Sequence, residues 1–213
     1  MRRFAFLLSL LAATLTLSAE DLHPAADAEG FVPLFNGKDL TGWQTTGNWV
    51  VDTDGSITLH PREGEKGWQR YSAYLSTVKK YGDFVLDLEF KINAKGNSGV
   101  FMRVGDLKDH VKSGFEVQVL DTYGLEKPGH HDCGGIVHGT GPSKNMVKPA
   151  GEWNRYTITV KGRQVTVVFN GEKVIDTSLD SIKMADRPNE GYIAFQDEAL
   201  PIWYRNVRIK ELK

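Results

Sequence analysis

Between Phe84 and Ile92 the chain reads FVLDLEFKI, and every second residue is apolar. Side chains alternate along an extended strand, so Phe84, Leu86, Leu88, Phe90 and Ile92 share one side, while Asp87, Glu89 and Lys91 share the other. A helix would scatter the same residues around its axis, so the period commits this stretch to a half-buried strand. The pattern recurs. WVVDTDGSITLH predicts a hairpin from Trp49–Val51 to Ile57–His60 around Asp54-Gly55. NSGVFMRV sets Val100, Met102 and Val104 against Phe101 and Arg103, and GFEVQVLD sets Phe115, Val117 and Val119 against Glu116 and Gln118. RYTITVKGRQVTVVFNGEKVID predicts strands joined at Lys161-Gly162 and Asn170-Gly171, and GYIAFQD and IWYRNVRIKEL close the chain. No stretch beyond the first residues holds a helical period over a comparable window. Strands at this spacing predict an all-β fold, a two-sheet antiparallel sandwich or jelly roll.

The N-terminus stands apart. MRRFAFLLSLLAATLTLSAED has two arginines, an apolar run from Phe4 to Leu17, and small residues at Ser18 and Ala19. This is the pattern of a secretory signal peptide, with cleavage expected after Ala19. The run is too short for a bilayer span, which needs about 20 residues, so no stable span is expected after its removal. The division expected is a signal peptide over 1–19, a linker over 20–30 and one domain over 31–213, in a periplasmic or secreted protein. Losing Arg2 and Arg3 leaves 24 Lys and Arg against 27 Asp and Glu. That mildly acidic balance does not favour a nucleic-acid or anionic-membrane partner, and no nucleic acid is expected. The lone cysteine, Cys133, allows no intrachain disulfide despite the exported address; it reads as a small buried filler.

One interval lacks the two-residue rhythm. Asp121 to Ala150, DTYGLEKPGHHDCGGIVHGTGPSKNMVKPA, is rich in Gly, Pro and His. Loops of this length without regular structure are functional or disordered, and the aromatic, His and Cys content points to the ordered lining of a site. Within it, His130, His131 and His138 cluster with Asp132 and Cys133 nearby, and these imidazoles are candidate ligands of a divalent metal ion. His138 is also a candidate acid or base, and Tyr123 a candidate substrate contact.

Glu116 and Asp121 in EVQVLD are the candidate catalytic carboxylates. Their spacing resembles the E-x-D-x-x-E strand of laminarinase-type retaining glucanases, with Gln118 in place of the middle acid. Without a bulge, opposite parity sends Asp121 to the other face. If residues 98–104 and 114–121 are antiparallel neighbours, Arg103 and Glu116 meet across the ladder. Tyr192, Ala194 and Gln196 share a face, and the five tryptophans offer flat surfaces for sugar rings, though a sandwich core also uses them.

FVPLFNGKDLTGW, FKINAKGNSGVFMRV, GFEVQVLD, KPAGEWNRYTITVKG, VTVVFNGEKV and GYIAFQDEALPIWYRNVRIKEL occur in one order. Together they closely resemble the bacterial 3-keto-disaccharide hydrolase family, from about Phe31 to Leu212. The resemblance implies a concanavalin-A-like jelly roll carrying an oligosaccharide or glycoside substrate on one sheet. It further implies an exported enzyme acting on sugars oxidised at C3, by C2 proton abstraction, elimination and hydration. Glu116 is then base or metal ligand, Arg103 and Gln118 orient substrate, and Gln196, Lys148 and Arg205 match the family pattern. Two departures stand out: Gln196-Asp197-Glu198-Ala199 lacks the histidine that follows the penultimate strand, and Val137-His138 replaces an aromatic tyrosine. A non-catalytic carbohydrate-binding module of the same fold and a retaining β-glucanase are the alternatives.

Overall fold

The computed structural model describes residues 22–213, so the expected signal peptide lies outside the described residues. Thirteen strands follow in order: β1 (Val32–Pro33), β2 (Trp43–Gln44), β3 (Trp49–Val51), β4 (Ile57–Leu59), β5 (Leu75–Thr77), β6 (Phe84–Ile92), β7 (Asn97–Val104), β8 (Phe115–Leu120), β9 (Trp153–Lys161), β10 (Gln164–Phe169), β11 (Glu172–Ser178), β12 (Tyr192–Phe195) and β13 (Ile202–Glu211). A 3-10 turn at Tyr71–Ala73 and one short helix, α1 (His110–Ser113), interrupt them. No helix among the described residues is long and apolar enough to cross a membrane.

The strands form two antiparallel sheets. The larger runs β11-β10-β9-β6-β13-β4-β3, with β1 also on β13; the smaller runs β2-β5-β12-β7-β8. The expected hairpins at Gly55, Gly162 and Gly171 and the pairing of β7 with β8 are all present. Between the sheets lie the apolar sides that alternation assigned. Leu86, Leu88 and Phe90 of β6 and Ile158 of β9 pack with Val100 and Met102 of β7 and Val117 and Val119 of β8. Each such side chain contributes roughly 1.5–3 kcal/mol. Buried tyrosine hydroxyls find partners, as they must: Tyr204 meets Ser98 Oγ at 2.9 Å and Tyr156 donates to the Gln118 carbonyl at 2.7 Å.

Two bulges reset the alternation. On β7, Phe101 faces Ala194 and Val104 faces Tyr192, so β7 carries one extra residue, and Arg103 takes φ 50°. Gly191 passes so close that an added Cβ would sit 2.2 Å from the Arg103 carbonyl carbon. The bulge turns Arg103 off the polar face and moves Val104 out of the main core into a cluster with Tyr74, Phe101 and Ala194. On β13, Arg205 faces Glu89 but Arg208 faces Asp87, with Asn206 at φ 52°. That extra residue sends Val207 and Ile209 inward and leaves Arg208 beside Asp87.

The segment expected as a linker is fastened instead. His23 bonds Thr157 and accepts from Gly171 N, and the carbonyls of Pro24, Ala25 and Ala26 accept from Arg155 and Arg208. Arginine forks on the outer face of the larger sheet supply those donors. The interval 121–150 is ordered, as its composition suggested. Gly134 N donates to Gln118 O, Gln118 N to Gly135 O and Val137 N to Glu116 O, so the loop covers what would be the open edge of β8.

Candidate active site

The outer face of the smaller sheet collects polar groups that have no structural need to be buried. Glu116 and Gln118 of β8, Ser76 of β5, and Gln196 just past β12 all have relative exposures of 7% or less. Gly99 lies at the centre. It pairs with Gln118 on one side, and its carbonyl accepts from Gln196 N at 2.9 Å on the other. Glu116 leans over it, so that a Cβ at residue 99 would stand 1.9 Å from Glu116 Oε1. Glycine thus leaves the space that the carboxylate occupies. Directly opposed residues place their Cβ positions about 5 Å apart, so Glu116 Oε1 and the Gln196 side chain share one patch.

Both Glu116 Oε1 and Gln196 Oε1 are buried without a hydrogen-bond partner. Unpaired buried oxygens cost free energy and mark a surface shaped for a ligand. Gln118 Oε1 accepts from Val119 N, which turns its amide nitrogen outward. Burial pushes the Glu116 carboxyl up to about 8, with the charge of Glu198 adding to it. Burial likewise raises Glu198 to about 7, helped by Asp197. Asp197 is also raised by burial, although Arg70 grips it at 3.2 and 3.3 Å. Arg70 bonds Glu65 as well, at 2.8 Å. Arg70 is thus taken up by Asp197 and Glu65, the latter also held by Arg62, and among the described residues no cation pairs with Glu116 or Glu198.

An aromatic wall flanks the carboxylates. Tyr74 donates to the Trp68 carbonyl and bonds the Gln196 side chain, and its hydroxyl is raised by burial and by the charges of Glu116 and Glu198. Tyr71 stacks on His110 at 5.5 Å, and half-exposed Trp68 meets Tyr71 edge-on at 6.0 Å. Desolvation holds His110 down at about 4, hence neutral, with Nε2 near Ser76 Oγ. A flat aromatic edge beside amides and carboxyls suits a sugar ring.

Several expected site residues lie elsewhere. Arg103 does not meet Glu116: the bulge carries its guanidinium to Gly82 O, Gly162 O and Asp83, where it ties strand ends together. Asp121 accepts from Lys95 N at 2.8 Å in the turn beside β7, its parity sending it away from Glu116; the two do not form a glucanase-type pair. Lys148 bonds Trp153 O and borders a cleft with Arg155 and Arg205 on the larger sheet. Tyr123 is exposed on the turn after β8. Trp43 and Trp49 belong to the core. Cys133 is a buried filler as expected, its thiol pushed by burial to about 12. Sequence reasoning missed Gly99, Tyr74 and the coupling of Glu198 to Glu116. The only signal was the acid pair that follows the outward-facing Gln196.

The expected metal ligands divide. Among the described residues, the imidazoles that stand together are His130, His131 and His138, with ligand nitrogens within 4.8 Å of one another. Glu116 is outside that group because it leans inward over Gly99. Desolvation and the neighbouring rings of His130 and His138 lower His131, which keeps it in the neutral form that ligates metals. His138 also borders a small pocket with Glu116.

The model of the 3-keto-α-glucoside-1,2-lyase-like domain matches residues 30–210. The chain belongs to that family. A 3-keto-disaccharide hydrolase of Bacteroides thetaiotaomicron is 25% identical, over 91% of this chain and 82% of the relative. The crystal structure of a candidate glycosyl hydrolase from Parabacteroides distasonis superposes with TM-score 0.73 at 28% identity, covering 88% of this chain and 96% of the other. A β-glucanase of Bacillus licheniformis shares the fold alone, at TM-score 0.52 and 14% identity, over 86% of this chain and 97% of its own. Membership in this lyase-like family sets the chain among carbohydrate-acting, glycosidase-type proteins with a jelly-roll fold.

Proposed function

We propose that the protein is an exported enzyme that cleaves 3-keto-glycosides or disaccharides by taking the proton from C2. The observation that carries this reading is Glu116: a buried carboxyl, unpaired at Oε1 and held near pKa 8, above a glycine on the polar face of the smaller sheet. A ketone at C3 makes the C2 proton acidic. A base tuned near neutrality is matched to that proton. Glu116 removes it, the C1–O bond breaks, and the departing oxygen takes a proton from the acid partner, Glu198. Water then adds at C1 and a proton returns to C2, so the sum is hydrolysis. Gln118 and Gln196 present amides to hydroxyls, and Trp68 and Tyr71 offer ring faces. Export is supported by the signal-like pattern of residues 1–19.

The competent form holds the pair's one proton on Glu198 and leaves Glu116 ionised, which is the minor arrangement of the singly protonated pair because Glu116 is the weaker acid. Since the two groups lie at about 8 and about 7, kcat/KM follows a bell with its maximum between those values. Glu198→Gln removes the acid, so kcat/KM falls and the basic limb of the bell disappears, while the acidic limb set by Glu116 remains.

A 3-keto-glucoside deuterated at C2 tests the chemistry. The expected result is a slower turnover than with the protium substrate, and product whose C2 deuterium has passed to water faster than in an enzyme-free control. Release with the deuterium kept at C2 and no isotope effect on turnover would mean ordinary hydrolysis. Absence of any release, with sugar bound, would make the protein a binding module.

A further inference from the structure

The loop between β8 and β9 carries three histidines that the proposed proton transfers do not use. Ring centroids lie 4.4 Å apart for His130 and His131, 4.8 Å for His131 and His138, and 6.1 Å for His130 and His138. One nitrogen from each ring falls within 4.8 Å of the others. Packing does not account for the gathering, because all three are exposed. Nor do ion pairs. Among the described residues the histidine–carboxylate pair is His60 with Asp52, and Asp132, adjacent to His131, uses Oδ2 on Gly129 N.

The frame under the rings is rigid. Gly134, Gly135 and Val137 are tied to β8 through three backbone bonds. His138 sits at φ 62° in a turn closed by Gly139 N and Thr140 N donating to Ile136 O. Side chains fixed by such a scaffold are presented in one arrangement rather than many.

We infer that His130, His131 and His138 form a binding site for one divalent transition ion of the zinc, cobalt and nickel class. Imidazole nitrogens suit ions of borderline softness, whereas calcium and magnesium require oxygen ligands. Three protein ligands at an exposed position leave a coordination position open. The three are not equal. His130 Nδ1 accepts from His138 N–H at 3.1 Å, so His131 and His138 are the anchors, and His130 exchanges that bond to join them. The ion stands at the edge of the cleft, since His138 and Glu116 border one pocket with Phe101 and Val111. The site is independent of the proposed reaction, and its test reads binding rather than turnover.

The experiment is a titration of the chelator-stripped chain with Co2+, followed by visible absorption, and with Zn2+ in a calorimeter. One equivalent is expected. His131→Asn and His138→Asn should weaken it by about 100-fold or more, and His130→Asn by about 10- to 100-fold. Glu116→Gln and Cys133→Ser should leave it unchanged. Imidazole NMR of the unmodified protein guards against misfolded variants: Zn2+ should shift the His130, His131 and His138 signals and leave those of His60 and His110 in place. Weak binding that the histidine variants do not alter, or binding lost instead in Glu116→Gln, would overturn the assignment.

Discussion

Asp87 and Glu116 are both buried carboxylates on the outward sides of their sheets, at 2% and 6% exposure, yet they have opposite fates. Asp87, on the larger sheet, accepts from Arg155 Nε and Nη2, from Thr157 Oγ1 and from Arg208 Nε, at 2.7–3.0 Å. Burial pushes its pKa up, but those bonds outweigh burial and hold it below the ordinary value. Glu116, on the smaller sheet, has burial and a like charge and no cation, so it is driven up to about 8. The contrast separates two uses of the same group. A fully bonded carboxylate fastens structure; an unpaired one keeps its electrostatic potential for a ligand. In the proposed reaction the larger sheet is the support, and the smaller is the working face.

Breaking the support should give the largest effect. Asp87→Ala leaves the Arg155 and Arg208 guanidinium groups facing each other without their acid, beneath the strap of residues 23–26 that they hold. A loss of about 3–5 kcal/mol is expected from removing one partner of a buried ion network, read by urea denaturation. The same change should loosen the strap, seen as faster hydrogen exchange at Gly171, whose amide donates to His23.

The opposite sign is expected on the working face. The folded-state pKa of Glu116 is raised from 4.5 to about 8. Its stabilising contribution is therefore full below 4.5 and lost as pH rises through 8. Glu116→Gln removes that penalty and should make the chain more stable by ~3 kcal/mol at pH 7, with the difference vanishing toward pH 4. Denaturation midpoints across that range test it. Equal stability at every pH would mean that Glu116 titrates normally.

A smaller change probes the geometry between these extremes. Gly99→Ala places a methyl where Glu116 Oε1 now lies, so the carboxylate must swing away. Turnover should fall by about 10- to 100-fold for such a displacement, while the core beneath, Val100 and Val117, stays in place. Unchanged kcat/KM would show that the position of Glu116 over Gly99 does not matter.

Much of this fold was legible because alternation is a direct image of burial. FVLDLEFKI declared its inner face, and the Asn-Gly and Asp-Gly turns declared the hairpins. Parity alone also cast doubt on Asp121. Arg103 was unreadable for a different reason: a single extra residue inverts every later side chain, and nothing in NSGVFMRV announces a bulge that depends on Gly191 passing against it. Residues 22–30 look like a tether until the Arg155 and Arg208 forks are known to face them. Glu198 is legible only as an acid in a loop, because its coupling to Glu116 arises from strands β8 and β12 flanking β7. Alternation put Glu116 and Gln118 on one face, and the structure adds Gln196 to it; Arg103 and Lys148, which the family resemblance brought in, lie away from that face, on Asp83 and the Trp153 carbonyl.

The most direct test is the turnover of Glu116→Gln on a 3-keto-glucoside with a chromogenic leaving group, measured at pH 7.5 beside its thermal melt. The account predicts a loss of about 100- to 10,000-fold, the usual contribution of a general base, in a protein at least as stable as the parent. Turnover within a few-fold of the parent would contradict it and remove the unpaired carboxylate from the chemistry.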